Sequence, residues 1–196
     1  MKFYKINTYG CQMNVHESEK LAGMLEDLGY KSTDIDEKAN VIVFNTCCIR
    51  ESAEQKIKGN IGALKPLKKK NKGLIVAVGG CMSQQDGKSR ELKELFPFID
   101  VIFGTHNLAF FKEYLLKRLN TKKSVIEITN DLGIHENVPT FRTSYPNAWV
   151  NIMYGCNNFC TYCIVPYVRG REKSRNPEDI LNEVNTLIKQ GYKEIT

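Results

Sequence analysis

The sequence predicts an α/β protein built on a parallel sheet, followed by the beginning of a second α/β domain. Short apolar, β-branched runs alternate with amphipathic helical patterns in the first part of the chain, which is typical of a parallel sheet covered by helices. After a polar stretch, a strand, loop and helix pattern begins again. The chain has 196 residues, of which 42% are apolar, enough for one large or two small domains with buried cores.

Three of the apolar runs are predicted to be strands of one sheet. They are residues 3–8, 41–45 and 74–78. Helical patterns lie between them at residues 18–28 and 51–64, and Gly29 and Pro66 close these two helices. Strands that alternate with helices in this way are expected to run parallel.

Each of these three strands leads into a cysteine: Cys11, Cys47 and Cys81 respectively. Ligands of open α/β sheets bind in the crevice beyond the carboxyl ends of the strands, so the three thiols are expected to converge on one site. The simpler alternative is that they are ordinary buried thiols, which are common in protein cores. Their position after the strands favours a functional role, whereas the adjacent Cys48 is predicted to be a small packed thiol.

The pattern continues with one more strand and two more helices. The helices are predicted at residues 90–96 and 108–119, and the strand at residues 101–104. Together these elements make a flavodoxin-like domain over residues 1–120, which lies within the usual size of a domain. Residues 121–145 are polar and irregular, apart from a β-like run at 125–128, and are predicted to be a linker or an edge strand.

A second domain is predicted over residues 146–196. It opens with a strand at 148–153, and a helix begins at Asn176 as N-cap with Pro177 in its first turn. Residues 194–196 resemble the opening of the next strand. One strand–helix unit is too little to bury a barrel core, so we expect these residues to begin a longer protein.

The loop after this new strand has the spacing Cys-x3-Cys-x2-Cys, formed by Cys156, Cys160 and Cys163. Three thiolates without a fourth suit an iron–sulfur cube that keeps one iron open to a small molecule, whereas a structural metal site has four protein ligands. The alternatives are a zinc ribbon or free thiols. Zinc motifs normally contain two cysteine pairs or cysteine with histidine, and no histidine is close in sequence to this loop.

Composition indicates a reducing environment and a basic surface. The chain has seven cysteines and its first residues resemble a strand and not an export signal, so the cytoplasm is the expected compartment. No run is long enough to span a membrane. The net charge of +6 modestly favours a polyanion such as RNA. Its lysine run at 65–72 is predicted to be a solvated loop, and Arg169, Arg171 and Arg175 either contact RNA or cap the barrel mouth.

Four segments carry a family resemblance. They are residues 8–14 (Thr-Tyr-Gly-Cys-Gln-Met-Asn), 45–50 (Asn-Thr-Cys-Cys-Ile-Arg), 79–84 (Gly-Gly-Cys-Met-Ser-Gln) and 155–175. With both cysteine sets, they resemble the methylthiotransferases of the radical S-adenosylmethionine (SAM) superfamily, and the resemblance covers essentially the whole chain. Gln12, Met13 and Asn14 are similar to the branch of that family that acts on N6-dimethylallyladenosine in tRNA.

The resemblance implies two 4Fe-4S clusters and a role for SAM. The catalytic, SAM-cleaving cluster would be held by Cys156, Cys160 and Cys163. An auxiliary cluster that carries or donates sulfur would be held by Cys11, Cys47 and Cys81. Tyr162 would lie near the adenine of SAM, within a radical SAM partial barrel. SAM would serve as methyl donor and as radical source, and the product would carry a methylthio group at C2 of the modified adenosine beside the anticodon.

The implied partners are tRNA and an electron donor such as flavodoxin or ferredoxin, and this fragment is expected to lack turnover alone. Within the family, the alternative substrates are threonylcarbamoyladenosine in tRNA and an aspartate of a ribosomal protein. Outside it, the alternatives are a non-enzymatic flavodoxin-like module and a zinc-binding RNA module. A flavin module calls for a Ser, Thr and Gly phosphate loop after the first strand, where residues 9–14 read Tyr-Gly-Cys-Gln-Met-Asn.

Overall fold

The computed structural model describes residues 1–48, 51–130 and 133–196. Six of its strands form one parallel sheet in the order β2-β1-β3-β4-β5-β6. These strands are β1 (Lys2–Thr8), β2 (Tyr30–Ser32), β3 (Val41–Thr46), β4 (Ile75–Gly80), β5 (Val101–Phe103) and β6 (Val125–Glu127). The first five follow the strand order of flavodoxin-like folds, so the predicted fold class is confirmed.

Helices cover both faces of the sheet. They are α1 (Gln12–Asp27), α2 (Glu51–Ala63), α3 (Lys65–Lys70), α4 (Cys81–Gln84), α5 (Lys88–Leu95) and α6 (Phe111–Thr121), with a 3-10 helix at Thr105–Phe110. Strand β3 is buried throughout, and its alternate side chains pack into two cores, one on each face of the sheet. Val43 packs with α1 and α6, whereas Phe44 packs with α2 and α5. Within the described ranges, no helix has the length and apolar character needed to cross a membrane.

Strand β6 joins the sheet beyond the limit of 120 predicted for the first domain. It pairs with β5 in parallel register, Val101 opposite Val125, and therefore forms the edge strand that was one of the two predictions for this stretch. Strand β2, at the opposite edge, was not predicted. It has three residues, of which only Tyr30 is buried, and so short a run leaves no period-2 signal.

The lysine run at 65–72 is not a solvated loop, and that prediction was wrong. Residues Lys65–Lys70 form α3, with Pro66 in the first turn, where its missing N–H costs no hydrogen bond. Lys68 is also drawn inward, because its Nζ lies 2.6 Å from Oδ2 of the buried Asp100. Asp100 accepts hydrogen bonds from the Val76 amide and the Arg118 guanidinium as well, so the run is tied to the sheet.

The second part of the chain contains four short strands and two helices. They are β7 (Asn147–Ala148), β8 (Met153–Tyr154), α7 (Val165–Arg169), β9 (Lys173–Ser174), α8 (Pro177–Lys189) and β10 (Glu194–Ile195). As predicted, α8 begins at Pro177, and Asn176 caps it by accepting a hydrogen bond from the Glu178 amide at 3.0 Å. Its apolar side packs on Ala148 and Val150 through Leu187.

The strand predicted at 148–153 is divided in two because the chain changes partner within it. Strand β7 pairs in parallel with β10, whereas β8 pairs antiparallel with β9. Between them, the Val150 amide donates to the Thr196 carbonyl, and the Ile152 carbonyl accepts from the Arg175 amide. The backbone is therefore hydrogen-bonded on both sides of the switch, and β8 leads directly into the three-cysteine loop.

Gly79, in strand β4, packs against an aromatic ring just before Cys81. A Cβ atom at this residue would lie 2.1 Å from the nearest atom of the Phe103 ring on the neighbouring strand. We expect Gly79→Ala to lower the free energy of unfolding by about 1–3 kcal/mol, because the buried ring must move. Chemical denaturation measures this change. The control is Gly59→Ala in α2, where nothing lies within 4 Å, and an unchanged or raised stability is expected there. Equal stability of both variants would contradict the prediction.

Candidate metal centre

The first cysteine set lies at one edge of the sheet. Cys47 and Cys81 directly follow β3 and β4, and Cys11 follows β1 after Tyr9 and Gly10; the three strands are adjacent. The register places the ends level, with Thr8 opposite Asn45 and Thr46 opposite Gly80. Cys47 and Cys81 are buried, with 5% and 6% of their surface exposed, whereas Cys11 is exposed.

Two glycines allow the chain to approach closely at this edge. Gly10 has a φ of +118°, and a Cβ atom there would lie 2.7 Å from Cβ and 3.0 Å from Sγ of Cys47. Gly80 has a φ of +99°, and a Cβ atom there would lie 2.5 Å from the Thr46 carbonyl oxygen. Any larger residue at either position would displace the backbone that carries a cysteine.

Two buried asparagines hold these strand ends together. The Asn14 side-chain amide donates to Asn45 Oδ1 at 3.3 Å and to the Thr46 carbonyl at 3.2 Å. In return, the Asn45 amide donates to the Asn14 carbonyl at 2.8 Å and to Ser18 Oγ at 3.0 Å. Asn14 also accepts a hydrogen bond from the Cys11 thiol at 3.4 Å. Sequence reasoning assigned no role to this pair, because the two residues are far apart in the chain.

Cys48 is the fourth cysteine of this region. It contacts the first cysteine set but does not follow a strand of its own. Cys48 is half-buried and packs against the α2 and α5 core, as expected of a packed thiol. Its thiol also hydrogen-bonds to Cys81, which raises the pKa of Cys48. The same hydrogen bond lowers the pKa of Cys81, burial opposes this effect, and the positive charge of Arg169 lowers the pKa further.

The second cysteine set lies in the loop between β8 and α7. Cys156 is half-buried, and its amide donates to the Gly170 carbonyl at 3.1 Å. Cys160 and Cys163 share one turn, because the Cys163 amide donates to the Cys160 carbonyl at 2.9 Å. Cys160 is exposed, and Tyr162, expected beside the adenine of SAM, is 90% exposed.

An aromatic and cationic stack supports this loop. Phe159 has a φ of +46°, a conformation that side chains rarely adopt, and its ring faces two neighbours. The Arg171 guanidinium lies 4.2 Å from the ring centroid, and the Tyr167 ring packs edge-on at 5.9 Å. The loop therefore has a defined shape in the protein itself.

The side chains of each set have the chemistry of iron–sulfur ligands. Both sets contain thiols alone, which prefer iron and sulfur to hard cations. Among residues 1–48, 51–130 and 133–196, no three His, Cys, Asp or Glu side chains are grouped closely enough to hold a metal ion. The fold thus brings the cysteine-bearing segments of each set to one place, but does not close the thiols into a coordination shell.

Buried ion pairs join the second part of the chain to the first. Arg169 makes a two-pronged contact with Glu17 in α1, from Nη1 to Oε1 at 2.6 Å and from Nη2 to Oε2 at 3.2 Å. Arg175 pairs with Glu136 at 2.6 Å and with Glu183 at 2.8 Å. Sequence reasoning expected these arginines to contact RNA or cap the barrel mouth. In the structure the side chains of Arg169 and Arg175 are 9% and 6% exposed, and Arg171 lies over the Phe159 ring.

A cavity of about 310 Å³ lies between the two parts, next to this ion pair. Helix α1 contributes Glu17 and Lys20, the 3-10 helix contributes His106, and the segment after the second cysteine set contributes Arg169 and Arg171. Lys20 reaches across it to donate to the Tyr154 hydroxyl at 3.1 Å. Helix α1 therefore faces the second part of the chain through Glu17 and Lys20.

Two separate segments of the chain match known families. Residues 3–104 match the family described as "Uncharacterized protein family UPF0004", and residues 150–196 match the radical SAM superfamily. The first match covers strands β1 to β5 of the parallel sheet with Cys11, Cys47 and Cys81, and β6 lies beyond it. The second begins shortly before the loop that holds Cys156, Cys160 and Cys163.

Curated relatives match the chain over nearly its full length. Proteins from Clostridium perfringens (strain ATCC 13124) and Thermoanaerobacter sp. (strain X514) are 57% and 55% identical over 196 and 195 residues, respectively. Each is named tRNA-2-methylthio-N(6)-dimethylallyladenosine synthase. The alignments cover 100% and 99% of this chain but 44% and 41% of those proteins.

The chain thus spans less than half the length of the curated relatives it matches. Their names agree with the family to which the cysteine motifs pointed. The match of residues 3–104 covers more than half of the chain, so the chain belongs to the family described as "Uncharacterized protein family UPF0004".

Proposed function

We propose that this chain forms part of an enzyme that inserts a methylthio group at C2 of N6-dimethylallyladenosine beside the anticodon of tRNA. The observation that carries the proposal is the placement of three cysteines after three adjacent parallel strands, with a second three-cysteine loop docked on the same domain. The names of the relatives support the substrate. The partners would be tRNA and an electron donor such as flavodoxin or ferredoxin, in the cytoplasm.

The second cysteine loop would supply the ligands of the SAM-cleaving cluster. A C–H bond of an aromatic base has no acidic proton, so general base catalysis has no means of breaking it. A 4Fe-4S cluster with an open iron, when bound, supplies the electron that converts SAM into a radical source. Cys156, Cys160 and Cys163 would hold that cluster, and the Phe159 stack would keep the loop in shape. The exposed Tyr162 is available to an adenine ring.

The first set would hold the auxiliary cluster that carries sulfur. Cys11, Cys47 and Cys81 come from segments fixed by the sheet register and by the Asn14 and Asn45 hydrogen bonds. Two of the three thiols are buried, which would protect a bound group from water. The proposed domains are residues 1–120 and 146–196. They are joined by a linker at residues 121–145, whose strand β6 completes the sheet.

Metal content tests the two ligand sets directly. After anaerobic reconstitution, the full-length protein should hold about eight irons with matching sulfide, because two cubes of four irons are expected. A triple Cys→Ala variant of either set should hold about four. Cys48→Ala is the control, and should keep about eight, since Cys48 is not one of the proposed ligands. Wild-type protein with zinc and no sulfide would contradict the proposal.

Gly10→Ala tests whether the strand-end geometry is needed for the auxiliary cluster. A Cβ atom at Gly10 collides with Cys47, so we expect iron content to fall to about four per full-length chain. Gly29→Ala is a matched control, because Gly29 also has a positive φ, +80°, but nothing lies within 4 Å of an added Cβ. Both variants should lose about 1–2 kcal/mol of stability from backbone strain. Full iron retention by Gly10→Ala would show that the approach to Cys47 is not required.

Turnover tests the reaction and its substrate. With SAM and a reductant, full-length protein should release 5′-deoxyadenosine, and Ala at Cys156, Cys160 or Cys163 should abolish that release because the cluster loses a ligand. The methylthio product, detected by mass spectrometry of digested tRNA, should form on tRNA that carries dimethylallyladenosine. Product on threonylcarbamoyladenosine tRNA, or on a ribosomal protein, in its place would reassign the substrate.

A further inference from the structure

Arg169 occupies the junction between the two cysteine sets. It is the last residue of α7, the helix that follows the second cysteine loop, and its partner Glu17 lies in α1, the helix that follows Cys11. The two residues are separated by 152 positions in sequence. Helix α7 is held in place separately, because the Thr105 hydroxyl donates to the Val168 carbonyl.

The Arg169 and Glu17 pair is well buried. The two side chains are 9% and 7% exposed, and Nη1 and Nη2 of Arg169 each donate to a different carboxylate oxygen of Glu17. Removing two charges from water costs free energy, which a two-pronged, charge-assisted contact offsets best. A two-pronged contact of this kind forms in one geometry. It therefore fixes the relative orientation of the two side chains as well as the distance between them.

The same guanidinium also lies within interaction range of the Cys81 thiol. One side chain therefore contacts a candidate ligand of the auxiliary cluster and the helix that follows a second candidate ligand, Cys11. Through α7 it is attached to the loop of the other set. Arg169 thus combines a carboxylate partner from α1 with a cysteine of the first set.

We propose that Arg169 is a positioning residue that holds the second cysteine loop against the first set and donates a hydrogen bond to the sulfur of Cys81. This inference rests on the proposed function, because it assumes that Cys81 ligates a cluster. Hydrogen bonds to cluster sulfurs are among the features that set reduction potential. A residue that fixes the relative position of reacting groups also affects the reaction rate, because a displacement of about 1 Å lowers that rate about a hundredfold.

The chain offers a matched control in Arg142. It is also 9% exposed, and it joins Glu19 of α1 to Glu183 of α8 at 3.6 and 2.6 Å. It donates to the Trp149 carbonyl at 2.7 Å as its further contact. Arg142 thus has the burial and the bridging role of Arg169, but its partners are carboxylates and a carbonyl. A purely structural contribution should be the same for both arginines.

The first experiment isolates the auxiliary cluster. In full-length protein whose Cys156, Cys160 and Cys163 are all Ala, only that cluster should remain, and its midpoint potential is measured by redox titration followed by EPR. Arg169→Gln removes the charge and the two-pronged contact, so the potential should become more negative. Arg169→Lys keeps the charge but loses the two-pronged contact, so a smaller negative shift is expected. Arg142→Gln and Arg142→Lys should leave the potential unchanged.

The second measurement uses the intact cysteine sets. EPR of the doubly reduced wild-type protein should show spin–spin interaction between two nearby clusters. Arg169→Gln should weaken or alter this interaction, whereas Arg142→Gln should not. Thermal unfolding of all four variants shows whether the two arginines contribute equally to stability, and Arg169→Lys provides the comparison if Arg169→Gln fails to fold.

The outcomes separate the inference from the proposed function. A wild-type protein that binds fewer than two clusters overturns the proposed function, whatever the arginine variants do. Two clusters in the wild type, with equal effects of Arg169 and Arg142 substitutions or no shift for Arg169→Lys and Arg169→Gln, would overturn the positioning role alone. A shift confined to the Arg169 variants supports it.

Discussion

The parallel pairing of β1, β3 and β4 is the constraint on which the rest of the structure depends. Because the three strands run in the same direction with level ends, the residues that follow them emerge at one edge. If one of these strands ran in the opposite direction, its cysteine would lie at the far edge of the sheet. The Asn14 and Asn45 hydrogen bonds, the close approach of Gly10 to Cys47 and the cavity beside α1 all need this arrangement.

Helix α1 connects the sheet to the second part of the chain. It starts next to Cys11, packs Leu21 and Leu25 into one core, and presents Glu17 and Glu19 to arginines of later segments. Apolar contacts would tolerate small shifts, whereas buried, charge-assisted hydrogen bonds fail when their partners move by a fraction of an ångström. An interface built on ion pairs therefore suits a protein that must keep two loops in a fixed relation.

Sequence patterns predicted the features that repeat locally. The strands around Cys11, Cys47 and Cys81 follow from apolar runs at regular spacing, and the start of α8 follows from the Asn176 and Pro177 signals. The contact between the two parts of the chain was not predictable in this way. Glu17 and Arg169 are 152 positions apart, and only the folded chain shows that they meet. The prediction of a solvated loop for the lysine run was wrong for a related reason. The buried Asp100, which pairs with Lys68, lies far along the chain.

The two cysteine sets differ in burial, since two of the three thiols of the first set are buried and Cys11 is exposed, whereas no thiol of the second set is buried. Cys47 and Cys81 lie in the interior, behind residues fixed by the sheet, where a bound group would be kept from water and exchange slowly. Cys160 and Tyr162 are open to solvent, as a site must be if a small molecule is to enter, react and leave. Because Arg169 pairs with Glu17 of α1, it links the helix after the second cysteine loop to the helix that follows Cys11.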